Sequence, residues 1–112
     1  MERANKNAML ALNLRTGEVE VEGLGAILCR ELTRFEMVEV QELEADRQAQ
    51  DQRALFFGIV DPELTMEEVA AFRKAWGNAV CERIARKVNE LSGIGKDAAK
   101  SDLPRDGSGP DA

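Results

Sequence analysis

The sequence predicts a mainly α, α+β fold: a small helical domain with a short N-terminal β-hairpin and a disordered C-terminal tail. Three observations predict it. Val19 and Val21 alternate with Glu18, Glu20 and Glu22, the period of a half-buried strand, and a glycine-flanked turn leads into a second apolar run, "AILCREL". Helix-start signals at Thr33 and Thr65 each open a segment with helical apolar spacing. From Lys96 onward periodicity vanishes and Gly, Pro and Asp accumulate. Residues 1–95 are therefore expected to form a single domain and residues 96–112 a flexible tail.

Residues 3–13, "RANKNAMLALN", carry Ala4, Ala8, Met9, Ala11 and Leu12 and predict a short helix. Thr16-Gly17 is a turn signal, and Gly23-Leu24-Gly25 makes the next turn, so the hairpin is expected at about residues 18–31. Two strands alone are marginal and must lean on helices.

The six residues from Glu31 to Glu36, "ELTRFE", return as "ELTMEE" from Glu63 to Glu68. The residues after the two copies do not match, so no larger unit repeats. Each copy is a capping box: Thr33 with Glu36, and Thr65 with Glu68. Leu32 and Met37, then Leu64 and Val69, occupy the accompanying hydrophobic-staple positions. Glutamates engaged in local capping are poor acid–base catalysts.

The first capped helix is expected over residues 34–57, about 36 Å if unbroken. One stripe collects Phe35, Val38, Ala45, Ala49 and Phe56; Met37, Val40 and Leu43 lie on roughly the opposite side. The stretch between, "EADRQAQDQR" at residues 44–53, reads equally as solvated helix, bend or loop. Two apolar sides exceed what one core face needs. Either both pack inside the domain or one meets another chain. Asp61-Pro62 closes the "ALFFGIV" segment. A second helix over residues 66–76 aligns Val69, Phe72 and Trp76. After Gly77-Asn78, a third over residues 79–91 aligns Val80, Ile84, Val88 and Leu91, with Cys81 and Ala85 beside them and Ser92-Gly93 as the stop.

Composition narrows function. A formal charge of −6, with cations scattered among carboxylates, disfavours nucleic acid and anionic membranes. No apolar run approaches the roughly 20 residues of a membrane span, and the N-terminal stretch lacks the apolar length of a signal peptide, so residence in the cytoplasm is expected. Cys29 and Cys81 lack CxxC spacing and read as reduced thiols. With no His and no Tyr, Ser/His and Cys/His nucleophile systems cannot be assembled, and a metal site would need an uncommon ligand set. No catalytic residue, cofactor or metal is expected. "SGIGK" fails as a phosphate-binding loop, because Glu90 stands where the first glycine belongs and Asp97 follows the lysine. A helix-turn-helix around Gly77 fails too, because Arg73 occupies the position that requires a small residue. A core with only five aromatic residues favours association, with itself or with a partner.

In their order and spacing, "RELTRFEMVEVQE", "RALFFGIVDPELTMEEVAAF" and the closing "VNELSGIG" resemble the tail assembly chaperones of long-tailed phages and prophages. The resemblance spans about residues 19–95 and departs from the family at Gly77-Asn78. It implies a non-enzymatic helper that binds the tape measure protein and gathers tail tube subunits around it. Such a helper works in the cytoplasm of the infected or lysogenic host and is absent from the finished particle. A longer product of ribosomal slippage is common in the family. On this reading Met37, Val40 and Leu43 are the first choice for partner-facing residues, and Phe56 and Phe57 the second. Two other classes compete: a structural head–tail or tail component, and a small acidic adaptor or regulator.

Overall fold

The computed structural model describes residues 2–93, so the expected tail at residues 96–112 lies outside the described residues. Five helices and three strands run in the order α1 (Lys6–Leu10), β1 (Thr16–Val21), β2 (Gly25–Arg30), α2 (Arg34–Gln41), α3 (Arg47–Gly58), β3 (Ile59–Asp61), α4 (Met66–Ala75) and α5 (Asn78–Leu91). The fold is α+β, with helices packed on an antiparallel sheet ordered β1-β2-β3.

The hairpin pairs Thr16 with Arg30 through Val21 with Gly25. Gly23 and Gly25 take positive φ, +90° and +101°, which closes the turn at a conformation side-chain-bearing residues resist. Strand pairing starts earlier than residue 18: Thr16 and Gly17, expected as a turn, belong to β1. Gly17 fits there because the Lys87 side chain crosses over it; a Cβ would stand 2.8 Å from Lys87 Cε. Alternation then buries Val19 and Val21 and leaves Glu18 and Glu20 in solvent.

β3 is an addition to the expected hairpin. It pairs with β2 through Cys29↔Ile59 and Leu28↔Asp61, with an irregularity between Leu28 and Cys29. Only three residues long, it follows α3 directly at Gly58. That glycine also permits the close crossing of α3 and α5, since a Cβ there would lie 2.5 Å from Val88 Cγ2.

The helical segment expected over residues 34–57, left open as continuous or bent, is two helices. α2 stops at Gln41, and Asp46 starts α3 by accepting a hydrogen bond from the Ala49 N–H at 3.0 Å. Residues 42–46 form the turn; from Arg47 the ambiguous stretch is helical. The reversal lays α2 on α3, where Glu39 and Arg53 pair. Further on, α4 ends at Ala75, and α5 begins at Asn78 with Gly77 as its N-cap. Arg73 of α4 reaches α3 and pairs with Asp51 at 2.9 Å.

The core gathers Val19, Val21, Ile27 and Cys29 from the inner sheet face with Leu32, Leu55, Ile59, Val69, Ile84 and Val88. α5 lies along β1, where the Arg83 guanidinium donates to the Glu20 carbonyl.

Candidate partner-binding surface

α2 is fixed at its start by several bonds at once. Thr33 Oγ1 accepts from the Glu36 N–H at 3.1 Å, and Glu36 Oε1 accepts from the Thr33 N–H at 2.9 Å. The Arg30 guanidinium, from the end of β2, grips the same carboxylate with both arms at 2.8 Å. Burial acts to raise the Glu36 pKa, but the Arg30 hydrogen bond, with help from Thr33, outweighs it and holds the carboxyl below the usual range. One residue before Thr33, the Leu32 N–H donates to Ser92 Oγ at 2.9 Å, tying the approach to α2 to the end of α5.

This fixed helix decides which apolar side is free. Met37 and Val40, two of the three residues chosen first as partner-facing, are half-buried and pack against the core. Val40 helps line a groove with Ala54, Leu55, Ala85 and Val88. The exposed residues are Phe35, with 79% of its surface open, and Val38, with 39%. They stand three apart, one above the other on a helix face. A stapled Met37 follows buried Leu32 inward, which turns Phe35 out; the staple was the sequence signal for this orientation.

The other chosen residues are not gathered with that pair. Leu43 is half-buried in the turn after α2, its N–H donating to the Val40 carbonyl at 3.0 Å. Phe56 and Phe57 sit half-buried on α3, ring centroids 5.6 Å apart, both against the core. The second box repeats the first locally, with Thr65 and Glu68 exchanging bonds of 3.1 and 2.9 Å.

Cys29 is fully buried and Cys81 half-buried; both are free thiols whose pKa is pushed up, first by burial, so the thiol form prevails at neutral pH. Among the described residues no three Cys, Asp or Glu side chains come together as they would around a metal ion. No described helix is long and apolar enough to cross a membrane.

No family model matches this sequence, and no curated protein does. A solved structure does match the fold: the tail assembly chaperone of bacteriophage HK97, with a TM-score of 0.60 at 20% identity over 81% of this chain and 95% of that one.

Proposed function

We propose that this chain is a phage tail assembly chaperone, a non-enzymatic protein that covers an apolar stripe of the tape measure protein and gathers tail tube subunits around it. The observation that carries the reading is the fold shared with the HK97 tail assembly chaperone over nearly all of that protein. The exposed Phe35–Val38 face supplies the contact surface: an aromatic ring and a β-branched side chain on a pinned helix, close in sequence to Glu39, Glu42 and Glu44. Such a face fits the apolar ridge of a partner helix, and the carboxylates keep the pair in solution. Leu43, Phe56 and Phe57, each partly in solvent, are secondary contacts, while Met37 and Val40 support the face from beneath. The protein acts in the host cytoplasm and leaves before the particle is complete.

The test is co-expression with a tape measure protein, scoring its solubility and co-purification. Wild type should hold it in solution. Phe35→Glu with Val38→Glu should abolish co-purification while leaving thermal stability close to wild type, because both side chains are already exposed. Met37→Glu with Val40→Glu should instead unfold the domain. A folded Phe35/Val38 variant that still captures the partner removes this surface. A tape measure that stays insoluble beside wild type removes the function.

A further inference from the structure

The charges along α2 fall into two kinds. From Arg34 to Glu42 the charged residues are Arg34, Glu36, Glu39 and Glu42. Glu36 is held by Arg30, and Glu39 pairs with Arg53. Among the described residues neither Arg34 nor Glu42 has a charged partner. Both are exposed, and so are the apolar residues between them, Phe35 and Val38. Arg34 lies one turn before Val38, and Glu42, whose backbone is still helical, one turn after it. The four therefore share one side of the helix. That stripe reads cation, aromatic ring, β-branched side chain, carboxylate, and runs about 12 Å from end to end.

The helix itself does not account for either charge. A helix carries partial positive charge at its N-terminal end and partial negative charge at its C-terminal end. Arg34 is the first residue of α2 and Glu42 is its C-cap, so each stands against the local field. Glu36, in the same first turn as Arg34, has the favourable sign and a partner as well. The two charges that are mismatched and unpaired are thus the two that bound the exposed apolar residues. They have opposite signs, so they cannot both serve a uniformly basic or a uniformly acidic ligand.

We propose that Arg34 and Glu42 form a two-ended charge clamp around the Phe35–Val38 face. The proposal rests on the tape measure reading and specifies the segment taken. It is a helix whose apolar ridge carries a carboxylate at the end facing Arg34 and a lysine or arginine about two turns away, facing Glu42. Phe35 and Val38 supply the apolar contact, and the clamp sets register and direction, because a reversed partner brings like charges together. Apolar contact at the centre excludes water and strengthens both pairs.

The test is competitive capture. Wild type and one variant, Arg34→Glu or Glu42→Arg, are co-expressed in equal amounts with a tagged tape measure protein, and their ratio in the purified complex is read by mass spectrometry. Each variant should fall to about one-fifth of parity, the effect of turning one attractive pair into a repulsive one. Each variant alone should melt no lower than wild type, because its substitution removes a charge opposed to the helix. Lost capture with undiminished stability is a combination that a merely structural role does not give. A variant at or above parity overturns the clamp. If overall charge alone governed capture, the two variants would shift the ratio in opposite directions, so one of them would meet that condition. A variant that melts below wild type also overturns the proposal, since the charge it lost was then part of the fold. So does a change in the mass of the free chain on either substitution, which would make the occupant a second copy. A wild type that captures no tape measure protein removes the function as well as the clamp; capture by wild type with both variants at parity removes the clamp alone.

Discussion

The two capping boxes are nearly the same peptide placed in different surroundings. Around Thr33 the local exchange of hydrogen bonds is joined to the sheet: Arg30 clamps Glu36 with two bonds of 2.8 Å, and the side chains of that pair are only 21% and 17% exposed. Around Thr65 the same exchange stands in solvent, and among the described residues no cation is paired with Glu68. One box anchors a helix to the rest of the fold; the other only starts a helix. An identical motif thus carries different energetic weight depending on what the preceding residues bring to it, Arg30 in the first case and Pro62 in the second.

That difference should be measurable. Arg30→Ala strands a half-buried carboxylate and should cost about 2 kcal/mol, roughly 10 °C in melting temperature. A cost indistinguishable from a surface substitution would show the clamp to be idle. Thr33→Ala and Thr65→Ala should both destabilise, by about 1 kcal/mol in denaturant titrations, with the Thr33 change the larger because it also loosens the clamped carboxylate. Equal losses would erase the distinction between the boxes. Glu68→Gln, in solvent, should shift the midpoint by no more than a few tenths of a kcal/mol.

The first box should also show in the pH dependence of stability. Glu36 has its folded pKa lowered from the ordinary 4.5, so its contribution is complete above that value and fades as pH falls through the lowered one. Melting temperatures of wild type and Glu36→Gln should differ at neutral pH and converge in acid as the pH falls through the lowered pKa. Curves that stay parallel would refute the assignment.

Much of this was legible from residues alone. The boxes, the staples, the Val19/Val21 alternation and the stripe of α5 each depend on neighbours within a few positions. The features that escaped depend on distant partners. The break at residues 42–46 comes from α2 folding back onto α3, and "EADRQ" contains a competent cap in Asp46 that is also a tolerable helix residue. β3 is three residues long and exists because Cys29 and Leu28 offer it an edge. At the candidate surface, periodicity found both apolar sides of α2, and the staple positions Leu32 and Met37 held the local clue to which one faced inward; the Arg30 clamp and the Ser92 tie fix that orientation from other elements.

Arg83 at the Glu20 carbonyl has a consequence for recognition. β1 is an outer strand, the natural place for a visiting segment to extend a sheet. The guanidinium occupies one of its outward acceptors, Lys87 lies across Gly17, and Arg86 borders the same groove. An incoming backbone would have to displace the Arg83 guanidinium from its acceptor and push past the Lys87 side chain. The free edge of β1 is therefore poorly suited to receive another strand, which works against copies stitching together along it.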